Sequence, residues 1–123
     1  MQDTRVYPRL SVRLDAEARV GGGSSWEAAL LLNLSAGGAL LFTDREVPTL
    51  TVLSPLRFSL GRSEAELETR IEVEALVVRT LRGEAGESED GFLSGLQFLN
   101  LHGRPFEQVR HFVYEGLQNQ VPG

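Results

Sequence analysis

Two short segments hold side chains whose types and spacing suit the capture of a small anion. In the first, Arg5-Val6-Tyr7-Pro8-Arg9, two guanidinium groups stand four residues apart. An extended chain places residues of equal parity on one side, so both arginines share a face. Pro8 disfavours helix at Tyr7 and keeps the segment extended or turned. Each guanidinium fork can pair bidentately with a phosphate or with the O6/N7 edge of guanine, and its plane can stack on a base. The second segment, Asn33-Leu34-Ser35-Ala36-Gly37-Gly38, reads as a polar turn between two apolar strands. Asn33 offers an amide donor and an acceptor, and the Ser35 hydroxyl can donate to a phosphate oxygen. Gly37 and Gly38 would let backbone N–H groups approach an anion closely, as in a nest.

The charge pattern agrees with a small ligand rather than a polyanion. Among 123 residues, 17 acids against 12 bases leave a net charge of −5, and every base is arginine. Residues 1–14 run against that sign: Arg5, Arg9 and Arg13 against Asp3 leave +2 there and −7 in the rest. A DNA- or RNA-binding domain usually carries a net basic face, so a polymeric nucleic-acid partner is not expected. With no cysteine there is no disulfide framework, no thiolate zinc site and no thiol nucleophile. The longest apolar run, residues 28–32, is far short of the roughly 20 residues that cross a membrane. The N-terminus carries no signal-peptide core, and a cytoplasmic location with no membrane insertion is expected.

Strand signals position the two segments. Leu10, Val12 and Leu14 alternate with Ser11, Arg13 and Asp15 in the period-2 pattern of a half-buried strand. The Gly21-Gly22-Gly23-Ser24-Ser25 tract reads as a hairpin loop, followed by strands over 26–32 and 39–42. Pro48 and Pro55 punctuate the next stretch, which holds a strand over 56–60. From residue 64 onward glutamates and Arg70 fill even positions while Leu67, Ile71, Val73, Ala75 and Val77 fill odd ones. That is a long strand with one wet face and one dry face. A loop over 83–91 leads to a last strand over 92–99, where Gly95 leaves room for a close neighbour.

The period then changes. Pro105 suits a first helical turn, and Phe106, Val109, Phe112, Val113 and Leu117 recur at three- and four-residue spacing. Six strands and a terminal amphipathic helix favour an antiparallel barrel, because closure covers strand edges. Phe106, Phe112 and Leu117 suit core packing and a homodimer face equally well.

An Arg-x-x-x-Arg segment, followed 24 residues after Arg9 by Asn-x-Ser-x-x-Gly inside this strand pattern, closely resembles the PilZ domain, the bacterial receptor for cyclic di-GMP. The stretch Ser94-Gly95-Leu96-Gln97-Phe98-Leu99-Asn100-Leu101 resembles the late strand of that family. The resemblance covers almost the whole chain. It implies a six-stranded antiparallel β-barrel with a C-terminal helix, divided as a flexible arginine arm over 1–9, a barrel over 10–101 and a helix over 104–118, all one domain. It implies that Arg5 and Arg9 grip guanine edges and phosphates, that Asn33 bonds a guanine, that Ser35 bonds a phosphate, and that Gly38 permits the turn. Many members carry a further arginine where this chain has Thr4, which leaves the number of ligands bound open. The implied role is a receptor or adaptor whose arm closes on the ligand and signals to an effector protein, in motility or another PilZ-linked output. A PilZ-like adaptor acting through protein contacts alone is the alternative.

The remaining polar residues suit ordinary roles. The glutamate row over 64–74 reads as a solvated strand face, and Trp26 and the phenylalanines read as core. His102 and His111, nine apart without a carboxylate cluster, make a poor metal site. Ser35 lies in no nucleophile elbow. Neither catalysis nor a cofactor is expected.

Overall fold

The computed structural model describes residues 7–20, 23–62, 68–84 and 90–120. Six strands precede one helix: β1 (Leu10–Val20), β2 (Glu27–Leu34), β3 (Gly38–Thr43), β4 (Val52–Arg62), β5 (Glu68–Glu84), β6 (Asp90–Phe98) and α1 (Gly103–Gln120). The strands close into a barrel in the order β1-β2-β3-β6-β5-β4. Every neighbouring pair is antiparallel. This is the architecture expected from the alternation.

The dry face of β5 carries Ile71, Val73, Ala75 and Val77, all buried. They join Leu31, Leu34, Leu41, Leu53, Leu56, Phe58, Leu96 and Phe98 in one core. Fully burying each large aliphatic side chain contributes about 1.5–3 kcal/mol. Helix α1 adds Val109 and Val113 to this core, with Phe112 and Leu117 packed partly against it. Much of the apolar face of the helix is thus packed within the chain, with Phe106, Phe112 and Leu117 half-buried. Gly116 lets α1 approach β1, since a Cβ there would lie 2.4 Å from Leu10 Cδ2.

Several boundaries differ from the sequence reading. β4 runs through Pro55 instead of starting after it, because the register shifts between Leu53 and Leu56. A bulge there accommodates a residue with no N–H to give the ladder. The hairpin of β5 and β6 extends to the pair Glu84 and Asp90, which shortens the expected loop. The start of the expected long strand, residues 64–67, lies outside the described residues.

Two side-chain assignments are corrected. Trp26 is not core: it is half-buried under Arg57, 3.6 Å from the guanidinium carbon to the ring centroid, with Arg19 at 4.9 Å. Cation–π stacking on the two arginines is attractive without placing the ring in the core. Glu74 is not simply part of a wet face. Its carboxylate accepts from Ser54 Oγ at 2.9 Å, and its backbone N–H donates to Asn100 Oδ1 at 2.8 Å. It therefore ties β4 and the approach to α1 onto β5.

Candidate functional site

The register of β1 against β2 brings Arg9 toward the second polar segment. Leu10 pairs with Leu34 and Ser11 with Asn33, so Arg9 emerges beside the turn that starts at Ser35. Arg9 is exposed and has no ion-pair partner among the described residues. Arg5 lies outside the described residues. Asn33 sits inside β2, not in the turn as the sequence suggested. Its neighbour Leu34 is fully buried, so Asn33 faces outward from the barrel. Even so, its Oδ1 is buried with no hydrogen-bond partner. A buried acceptor left empty costs about 1–3 kcal/mol, and such a group calls for a functional reason.

The turn itself is closed on its own hydrogen bonds. Ser35 is buried, and its hydroxyl accepts from the N–H groups of Gly37 at 3.2 Å and Gly38 at 3.1 Å. The same hydroxyl donates to the Gly38 carbonyl at 3.2 Å. The expected anion nest is therefore absent from this turn: both amides point at Ser35. The Gly37 carbonyl accepts from Phe98 N–H at 2.9 Å, fastening the turn to β6. Gly38 serves backbone proximity, because a Cβ there would sit 2.0 Å from the Leu96 carbonyl oxygen.

Tyr7 was not singled out by the sequence. Its ring lies edge-on to Phe106 of α1, with centroids 5.7 Å apart and planes at 72°. Its Cδ2 is 3.1 Å from where a Gly37 Cβ would be. Tyr7 thus lies between the turn and the helix. A hydrogen bond from Arg110 to Glu107, 2.7 Å from its Nη2, and the attraction of that carboxylate raise the Arg110 guanidinium above its ordinary value, with Tyr114 and Tyr7 adding to the effect. Tyr7→Ala should lower stability by about 1–2 kcal/mol, since an edge-to-face aromatic pair contributes about 0.5–1.5 kcal/mol beyond its buried area. A urea unfolding midpoint equal to wild type would show that this contact carries no weight.

The outer face beyond Asn33 is shaped by bulges. One row crosses the sheet from Ser11 through Asn33, Leu40 and Gly95 to Arg79. Register shifts interrupt β1 between Ser11 and Leu14, β2 between Leu31 and Asn33, and β5 between Val77 and Arg79. Bulges bend strands and re-aim side chains, and here three of them adjoin one row.

Other features offer less to an anion. A cleft of about 490 Å³ against β1, β2, β4 and β5 is lined by Asp15, Glu17, Glu68 and Glu72, with Arg57 and Arg70 as its bases among the described residues. Arg57 is already paired with Glu17 at 3.0 Å. His111 pairs with Glu115 at 2.9 Å, and no group of three metal-ligating side chains occurs among the described residues. No helix among them is long and apolar enough to cross a membrane.

Comparison with curated proteins gives no match. Among solved structures, the Bacillus subtilis inhibitor of motility MotI/DgrA superposes with a TM-score of 0.81 at 20% identity, over 98% of this chain and 55% of that one. This chain therefore spans about half the length of the B. subtilis protein. The PilZ domain of YcgR from Escherichia coli, solved with cyclic di-GMP, superposes with a TM-score of 0.70 at 12% identity, over 95% of this chain and 94% of that one. Similarity to the PilZ domain runs over residues 3–115, from before the first arginine through all six strands and into α1, and on that extent the chain belongs to the PilZ domain family.

Proposed function

We propose that the chain is a receptor for cyclic di-GMP that holds the dinucleotide between its arginine segment and the outer face of β2. The observation that carries this reading is the empty buried acceptor of Asn33, on the strand paired with the one that Arg9 leads into, with no ion pair for Arg9 among the described residues. PilZ domains are non-catalytic receptors for this ligand. The ligand's two phosphates and two guanines match what guanidinium forks bind best.

In this reading Arg5 and Arg9 take guanine edges and phosphates, and Asn33 bonds a guanine. Ser35 keeps the turn in shape and reaches a phosphate by swinging its proton away from the Gly38 carbonyl. Gly38 allows β3 to lie close to β6. Closing the arginine segment over the ligand draws on Tyr7, so the surface around Phe106 changes with occupancy. An effector protein reads that surface; motility is one output class, since the B. subtilis neighbour is an inhibitor of motility.

Isothermal titration with cyclic di-GMP, with GTP as competitor, tests the reading. Saturable binding that GTP does not displace is expected. Arg9→Ala should weaken it roughly ten- to a hundredfold, the cost of one bidentate contact at about 1–3 kcal/mol. The stoichiometry answers the question raised by Thr4. Equal affinity in the variant, or no heat from wild type at high micromolar ligand, overturns the assignment and favours an adaptor that works through protein contacts.

A further inference from the structure

We infer that Arg79 is a further cationic residue of the ligand site, and that its guanidinium plane is a stacking surface for one guanine. The inference rests on the receptor reading above and adds a residue that neither polar segment contains.

Three observations converge on Arg79. The bulge in β5 sets Val77 opposite Leu96 and Arg79 opposite Gly95, leaving Val78 as the extra residue. Gly95 has no side chain to fill the space, and the Arg79 stem lies across it. Both Cγ and Nε of Arg79 are 3.3 Å from the position of a Gly95 Cβ. The side chain therefore crosses β6 on the outer face instead of standing up into solvent. Gly95 in turn pairs with Leu40, and Leu40 with Asn33.

The row thus has an empty hydrogen-bond acceptor at one end and a guanidinium at the other. Leu40 and Gly95 form a low floor between them, bordered by Val78, whose Cγ2 is 3.8 Å from the Gly95 Cβ position. Three strand spacings separate the backbones of Asn33 and Arg79, about 14 Å. The stem lying over Gly95 leaves the guanidinium within reach of a purine resting on Leu40. Arg79 has no ion pair or hydrogen bond among the described residues, so none of these neutralises it. A planar, weakly hydrated cation above an apolar floor favours stacking on an aromatic face over full hydration.

The chemistry explains why arginine and glycine occur together here. Any larger residue at 95 would occupy the space under the stem. A lysine at 79 would keep the charge but lose the plane.

The test is titration of cyclic di-GMP into wild type, Arg79→Ala, Arg79→Lys, Arg9→Ala and Arg45→Ala. Arg45 is an exposed arginine beyond the end of β3, and its loss changes net charge equally. Arg79 is exposed, so its variants should melt with wild type, which circular dichroism checks. Arg79→Ala should bind tenfold or more weakly, Arg79→Lys should stay at least severalfold weaker than wild type, and Arg45→Ala should bind within twofold. If Arg9→Ala is impaired while Arg79→Ala matches wild type, the inference about Arg79 falls and the receptor reading stands. Full rescue by lysine replaces stacking with bare charge and overturns the inference. Absence of binding by wild type overturns both.

Discussion

Gly38→Ala should cost the fold about 3 kcal/mol or more, read as a fall in the urea midpoint. The added methyl would lie 2.0 Å from the Leu96 carbonyl oxygen and 3.1 Å from its carbon. Both atoms are backbone, so no side-chain rotation relieves the overlap, and β3 must separate from β6. That separation works against the pairing of Gly38 with Gln97 and against the Phe98 N–H bond to Gly37. It also disturbs the Ser35 clasp, whose hydroxyl bonds both the amide and the carbonyl of Gly38. Overpacking a close-packed site typically costs about 1–3 kcal/mol, and more where backbone must move. Gly37→Ala is the informative contrast. There the nearest atom is a Tyr7 ring carbon at 3.1 Å, and a ring can tilt. A midpoint for Gly38→Ala within error of wild type would mean that the two strands are not held this closely.

Asn33→Leu should move stability and binding in opposite directions. The Oδ1 of Asn33 is buried with no partner, a desolvation cost carried by the unliganded fold. Replacing an unsatisfied polar group with an apolar one of similar volume removes that cost, and a gain of about 1 kcal/mol is expected. Leucine also suits the half-buried outer position beside Leu40. The same exchange removes the amide proposed to bond a guanine, and affinity for cyclic di-GMP should fall at least tenfold. Natural proteins commonly give up stability at a binding position in this way. Thermal melting with and without ligand reads both effects on one sample. The variant should melt higher than wild type alone and gain less from ligand. A variant that is both less stable and equally well stabilised by ligand would show that Asn33 is structural.

The fold was legible because β-barrel burial repeats every two residues. The odd positions of β5, from Ile71 to Val77, are all buried, as the alternation requires. The helix likewise ran close to its expected span, Gly103–Gln120 against 104–118. What escaped notice depends on contacts between distant strands. Trp26 has the composition of a core residue, and only the register of β1, β2 and β4 shows that Arg19 and Arg57 cover it. The motif residues were visible as types at a spacing, but their orientations were not. Sequence cannot show that Ser35 turns the two glycine amides inward, or that Asn33 lies in a strand with its acceptor unfilled. Arg79 was hidden for a related reason. Its alignment with Gly95 depends on a one-residue bulge, and which residue of the partner strand lies opposite the bulge is set by pairing between distant segments.

The inward-facing amides of Gly37 and Gly38 also determine how binding would respond to dissolved salt. A phosphate held by a pocket of backbone N–H groups is shielded from counterions. Here that pocket is spent on Ser35, so the ligand's charge must be met by guanidinium groups at the solvent boundary. The screening distance between such charges shrinks from about 10 Å at 0.1 M salt to about 3 Å at 1 M. For the proposed receptor, occupancy at a fixed dinucleotide concentration would therefore fall as ionic strength rises, making the salt content of its surroundings a second input to the same site.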